Sequence, residues 1–254
     1  MIPPIQSPFS IPNVRLFIAF KVLFNSRFYY PVFTILFLDF GLTIAQFSIL
    51  NAAWAASIVL AEVPLGALAD IIGRKRLMVC ATAIMIIEIS IIAFVPTGRP
   101  TLVFAVFLVN RILSGIAEAA ASGADEAIAY DSLAAAGGAE TWGRVLEVLA
   151  RWQSVGFILA MSIGAAIYDP DLMQSGLNFF GLPGTLTQET TMRFPLFLTL
   201  ILAIGAFTAT LKMTDPEPAG TGTDDPRPEI SQDNGRLSRA FSLTFKAGLW
   251  ILRT

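Results

Sequence analysis

Residues Ile44–Val95 read IAQFSILNAAWAASIVLAEVPLGALA, then DIIGRKR, then LMVCATAIMIIEISIIAFV. The outer two runs, Ile44–Ala69 and Leu77–Val95, are each long enough to cross a bilayer. A membrane-spanning helix needs about 20 mostly apolar residues at about 1.5 Å each. The short segment between them holds Arg74, Lys75 and Arg76, so it must sit in water as a tight turn. Two apolar helices joined by a basic turn form a membrane hairpin, and the rest of the chain repeats this alternation.

Four further stretches qualify on the same criterion. They are about Val14–Leu38, which carries Lys21 and Arg27 inside it; Leu102–Ala124, running on as a less apolar helix to about Leu133; Val145–Ile167; and Phe194–Leu211. The fold class read from this pattern is an all-α membrane protein with a bundle of six transmembrane helices. Composition agrees. The chain is 55% hydrophobic and only 14% charged, with a mean hydropathy of +0.67. Soluble domains carry about 25% charged residues, which they need to cover a wet surface and a bilayer-embedded chain does not.

Several function classes are excluded by what is missing. The net charge of −2 leaves nothing to neutralise a run of phosphates, so no nucleic-acid partner is expected. The chain has no histidine, which removes Ser-His-Asp and Cys-His chemistry and most zinc sites. Cys80 is the single cysteine, so there is no intrachain disulfide and no CxxC metal spacing. No Walker loop or Rossmann fingerprint occurs. The expectation is therefore no enzyme, no metal and no cofactor.

Lys and Arg in the connections set the orientation. One side holds Arg15, Arg74–Arg76, Arg144 and Lys212, with the tail's Arg227, Arg236, Arg239, Lys246 and Arg253; the other holds Arg99 and Arg193. Both termini are expected in the cytoplasm. The outer loop Tyr168–Met192 is expected to be irregular, because Pro170, Gly176, Gly181, Pro183 and Gly184 interrupt it. Three regions follow: the bundle at 1–213, a disordered cytoplasmic linker rich in Pro, Gly and Asp at 214–235, and a basic amphipathic lead-in helix at 236–254 that stops short of a seventh span.

The loop Gly66-Ala-Leu-Ala-Asp70-Ile-Ile-Gly73-Arg74-Lys75-Arg76 resembles the signature between helices two and three of the major facilitator superfamily, G-x-L-A-D-R-x-G-R-[RK]-x. Gly66, Leu68, Ala69, Asp70, Gly73, Arg74 and Lys75 match; Ile71 departs, where the family usually has Arg. Gly66 would allow close helix packing and Gly73 a sharp reversal. Asp70 would join an ion-pair network with the three cations. The resemblance implies that this network clamps the cytoplasmic side and loosens as the transporter rocks; the alternative is a positive-inside anchor alone. Asn110-Arg111-Ile-Leu-Ser-Gly115 is similar to the family's R-x-x-x-G motif of helix four, whose Arg is associated with proton transfer in proton-coupled members. Arg111 lies about 14 Å deep and should face a cavity and pair with an acid or with carbonyls.

Arg27, near mid-membrane, is a candidate substrate or proton-relay group, with an Arg27–Glu62 structural pair as the alternative. Glu62 and the deeply placed Glu118 complete the cavity and proton-relay candidates. Asp125 and Glu126, at the end of helix four, are candidates to meet Arg144 or Arg151 of helix five in a cytoplasmic charge network, with a solvated helix end as the alternative for Glu126 and Asp131. The G-P-x-x-G-G antiporter motif of drug exporters is absent from helix five, although Gly156 and Gly164 would favour close packing there.

The resemblance covers about residues 10–213. It implies two inverted three-helix repeats, like the N-terminal half of a facilitator, with a solute site near the midplane between two such bundles. The implied function is secondary transport of a small solute by alternating access, with protons as the candidate coupling ion, in the bacterial inner membrane. Its partners would be the lipid bilayer, the solute and a second six-helix half, on the same or a separate chain. The alternative is a truncated half-transporter with no transport activity of its own.

Overall fold

A computed structural model describes residues 7–215. The lead-in helix expected at 236–254, and all but the first two residues of the linker expected at 214–235, lie outside the described residues.

The described residues are mostly helical, with no strand among them. In chain order the helices are α1 (Pro12–Asn25), α2 (Phe33–Asp39), α3 (Ile44–Ile72), α4 (Arg74–Ala93), α5 (Pro100–Ala121), α6 (Ala124–Ala135), α7 (Trp142–Tyr168), α8 (Pro170–Phe179), α9 (Gln188–Thr191) and α10 (Phe194–Lys212). Five helical stretches are long and apolar enough to cross a membrane: α3, α4, Pro100–Ala135, Ala139–Tyr168 and Gln188–Lys212.

The first expected span, Val14–Leu38, is not one helix. It breaks after Asn25 and resumes through a 3₁₀ turn at Tyr30–Val32 into α2. Two residues account for the break. Pro31 has no backbone N–H, and its ring crowds the carbonyl four residues earlier, that of Arg27. Arg27 itself is 2% exposed and needs partners inside the protein. The freed backbone groups are met locally: the Arg27 N–H donates to the Asn25 carbonyl at 3.0 Å and that of Tyr30 to the Arg27 carbonyl at 3.2 Å. The Phe28 N–H donates to Thr199 Oγ1 at 3.0 Å. Satisfying such groups is compulsory where no water reaches.

Packed neighbours run in the order α3, α5, α4, α10, α1, α7. Glycine permits the closest approaches. A Cβ at Gly115 would stand 2.7 Å from both Ser57 Cβ and the Trp54 carbonyl oxygen, which fixes α5 against α3. A Cβ at Gly164 would stand 1.8 Å from the Phe28 carbonyl oxygen, and one at Gly156 would stand 2.6 Å from Ser26 Oγ. Thus α7 lies directly on the break. Gly66, by contrast, has nothing within 4 Å of a Cβ position, so it serves no close packing among the described residues. The end helices α3 and α7 turn apolar side chains outward, among them Val59, Leu60, Ile158 and Leu159. Water would not tolerate so much exposed hydrocarbon, whereas a bilayer solvates it.

Local chemistry sets the helix ends. Thr43 caps α3 reciprocally with Gln46: Gln46 N–H donates to Thr43 Oγ1 at 3.2 Å, and Thr43 N–H to Gln46 Oε1 at 2.9 Å. Gly73 alone joins α3 to α4 at φ +92°, a conformation open to glycine. Arg193 closes the far end of α4 by donating to the carbonyls of Ala93 at 2.7 Å and Val95 at 2.8 Å. The loop Tyr168–Met192 is irregular only over 180–187, between α8 and α9. Pro170 starts α8 rather than breaking a helix, because the first helical position needs no N–H. Asp169 caps it, accepting from the N–H groups of Asp171 and Leu172, both at 2.9 Å.

Candidate functional site

The break in the first segment brings Arg27 into the middle of the bundle. Its Nη1 donates to Tyr29 Oη at 2.9 Å, to Glu88 Oε1 at 3.1 Å and to Ser114 Oγ at 3.3 Å. The guanidinium also lies over the rings of Phe24 and Tyr30, 5.7 and 5.9 Å from their centroids. Glu88, on α4, is fully buried. Its second oxygen accepts from Asn110 Nδ2, which also donates to the Glu88 backbone carbonyl at 2.8 Å. The pair therefore ties three elements together: the break, α4 and α5.

Arg111 sits one residue beyond Asn110 and is 5% exposed. Of the two partners expected for it, an acid or carbonyls, it meets the second, the side-chain amide carbonyl of Asn51. Its Nη2 donates to Asn51 Oδ1 at 3.3 Å, and its guanidinium packs 5.2 Å from the ring centroids of Phe33 and Trp54. Two buried donors, Arg27 Nη2 and Arg111 Nε, have no hydrogen-bond partner among the described residues. A charged group this deep is costly by at least about 2.5–3.5 kcal/mol, so it persists only with compensation or with a role.

The sequence reading named Arg27 and Arg111 but missed Glu88, and it offered Glu62 as the partner of Arg27. Glu88 is the one charge within Leu77–Val95, and that isolation was the available signal. Glu62 is exposed and lies elsewhere. It lines a cavity of about 140 Å³ with Lys21, Asn25, Glu118 and Asp125, between α1, α3, α5 and α6. A second cavity, of about 300 Å³, lies between α1 and α7 and is lined by uncharged groups that include Asn25, Ser26, Gln153 and Ser154.

The expected partners of Asp125 and Glu126 are also replaced. Asp125 pairs with Lys21 of α1 at 2.5 Å, and Glu126 stands 3.9 Å from the same Nζ. Arg151 instead pairs with Glu147 one turn away at 2.5 Å, and Arg144 makes no ion pair among the described residues. The cause is Gly123, at φ +75°, which turns α6 away from the line of α5. In the basic loop, Asp70 is exposed and makes no ion pair among the described residues. Arg74 pairs with Asp131 at the end of α6, and the Lys75 N–H donates to Asp215 Oδ1 at 3.1 Å. The loop is thus tied to α6 and to the chain after α10, not through Asp70. Among the described residues no three His, Cys, Asp or Glu side chains converge as metal ligands would.

Long apolar helices enclosing a hydrogen-bonded Arg–Glu pair define a multi-pass membrane protein with a polar interior. The sequence model of the Major Facilitator Superfamily matches residues 16–252, and the chain belongs to that superfamily. No curated protein matches it. Members of the superfamily are membrane transporters, so this chain works in contact with the lipid bilayer and a small-molecule substrate.

Proposed function

We propose that the chain is the N-terminal six-helix bundle of a secondary transporter that moves a small solute by alternating access, with protons as the coupling ion. The observation that carries this reading is the Arg27–Glu88 pair, buried at the break of the first segment. In membrane transporters, solute and coupling-ion sites form where helices are interrupted near the midplane. In this reading α1 and α2 together make the first of six crossings. Their 14 and seven residues span about 21 and 10 Å, enough for a hydrocarbon core of about 30 Å. The six crossings form two inverted three-helix repeats, with both termini in the cytoplasm and the bundle in the bacterial inner membrane.

Arg27 and Arg111 serve the solute path through their free donors, and Glu88 holds Arg27 in place. The loop residues Gly66, Asp70, Gly73, Arg74 and Lys75 form the cytoplasmic gate. Asp70, which makes no ion pair among the described residues, would meet a second six-helix half, which the outward faces of α3 and α7 would help to seat.

Reconstitution tests this. Proteoliposomes carrying the chain together with a second half, and an entrapped pH dye, should report proton movement when a solute from a mixed panel is added. That response should disappear in Arg27→Ala. If the chain moves nothing when paired with a second half, the transporter reading fails; activity only in its presence means that the bundle alone is an inactive half.

A further inference from the structure

We propose that the cavity between α1 and α7 binds a small uncharged polyol. The cavity has a volume of about 300 Å³ and is lined by Asn25 and Ser26 at the end of α1, by Gln153 and Ser154 on α7, and by the apolar side chains of Val22 and Phe157. Its polar groups lie deep. Asn25 and Gln153 stand about 20 and 17 Å along their helices, near the middle of a hydrocarbon core of about 30 Å. Asn25 and Ser154 are nonetheless exposed, and Gln153 is half-buried. Amide and hydroxyl groups at that depth are costly against lipid, so this wall borders a wet path rather than acyl chains.

The hydrogen-bonding groups of the wall are only partly used. Asn25 Nδ2 donates to the Lys21 carbonyl at 2.8 Å, which leaves Oδ1 open among the described residues. Ser154 Oγ donates to the Ala150 carbonyl at 2.8 Å and keeps its lone pairs. Gln153 makes no side-chain hydrogen bond among the described residues, and neither does Ser26, although Ser26 is only 6% exposed. Four neighbouring side chains thus offer donors and acceptors intermixed. A hydroxyl group both donates and accepts, so a ligand carrying several of them meets such a wall without a fixed order of donors and acceptors.

The lining narrows the ligand class. Among the described residues no ionised side chain lines the cavity, so an ionic ligand would lose water without gaining a counter-charge. Arg27, the residue after Ser26, turns its guanidinium to Glu88 instead. Val22 and Phe157 supply apolar surface for the C–H faces of a polyol. The volume of about 300 Å³ stands at the low end of ligand pockets, about 300–1,000 Å³, which suits a small molecule and not a peptide. Ser26 ends α1, so the cavity opens at the break of the first segment, where the solute sites of transporters form.

The proposal names a solute class for the transporter reading and rests on that reading for the purpose of binding, not for binding itself. The test is equilibrium dialysis of the purified 254-residue chain against radiolabelled glycerol, xylitol and mannitol, with gluconate and N-methylglucamine as charged relatives. At least one polyol should bind saturably, and at least tenfold more tightly than either charged relative. Its dissociation constant should rise tenfold or more in Gln153→Leu and threefold or more in Ser26→Ala. It should change by less than twofold in Ser48→Ala, which lies on α3 outside the cavity. In a Cys80→Ser background, the same polyol should slow maleimide labelling of Ser154→Cys at least fivefold, a readout that holds even where Gln153→Leu fails to fold. Absence of polyol binding, binding unchanged in both cavity variants, or tighter binding of a charged relative would overturn the proposal. So would shielding of Ser154→Cys by an added second half and not by polyol, which would make the cavity part of the interface between halves. Polyol binding without solute uptake in proteoliposomes would leave this cavity assignment standing and sink the transport reading; uptake without polyol binding would do the reverse.

Discussion

Replacing Glu88 by Ala should strand a charge inside the bundle. Arg27 is 2% exposed and Glu88 fully buried, and Glu88 is the one carboxylate that Arg27 reaches among the described residues. Breaking a buried pair from one side costs about 3–5 kcal/mol, because the remaining ion keeps its desolvation penalty without its partner. The cost should sit near the upper end, since Asn110 also loses a hydrogen-bond acceptor in Glu88→Ala. Glu88→Gln should cost less, because it keeps an acceptor for Arg27 and a group for Asn110. The double change Arg27→Met with Glu88→Leu should recover most of the loss, though not all, because Tyr29 and Ser114 lose their donor. The assay is reversible unfolding in mixed micelles, titrating a denaturing detergent and following far-UV circular dichroism. The reasoning is refuted if Glu88→Ala costs less than about 1 kcal/mol, or if the double variant is no more stable than the sum of the two single changes.

Three further changes probe the frame around the site. Gly164→Ala places a methyl 1.8 Å from the Phe28 carbonyl oxygen, a backbone atom that cannot step aside; α7 should separate from the break, with a loss above about 3 kcal/mol, whereas Gly66→Ala on an open face should be neutral or slightly stabilising. Gly73→Ala forces an L-residue to φ +92° and should cost about 1–3 kcal/mol in the same unfolding assay. Asp131→Asn removes the partner of Arg74, but both side chains are close to half exposed; stability should fall by less than about 1 kcal/mol, and the difference should shrink in high salt.

The helices were legible because apolar length is a direct demand of the bilayer, and the turn at Gly73 because a basic segment between two apolar runs has nowhere else to go. The break in the first segment was harder to read. Pro31 and Arg27 were both visible, but hydropathy averages over them, and it takes the contact with α7 at Gly164 and the bond to Thr199 to show that the chain unwinds there. Glu88 was hidden in the same way, as one charge in a strongly apolar run. Charge partners were misread for a geometric reason. The sequence gives no rotation of one helix against the next, so Asp125 was assigned to the cations of the following helix, while the bend at Gly123 turns it toward Lys21. Likewise Asp70 was expected to complete the basic loop, and the structure gives Arg74 to Asp131 on a helix 57 residues further along. Pro170 was read as a breaker, although at the first position of a helix it is a starter.

The central claim is that the broken first segment crosses the membrane with its buried charge pair intact. Cysteine labelling tests it most directly. In a Cys80→Ser background, single cysteines at Arg15, Thr43, Lys75, Arg99, Arg144 and Leu182 are exposed to a membrane-impermeant maleimide in right-side-out and inverted vesicles. The account predicts that positions 15, 75 and 144 label from one side and positions 43, 99 and 182 from the other. Labelling of positions 15 and 43 from the same side would mean that α1 and α2 do not cross, and would contradict it.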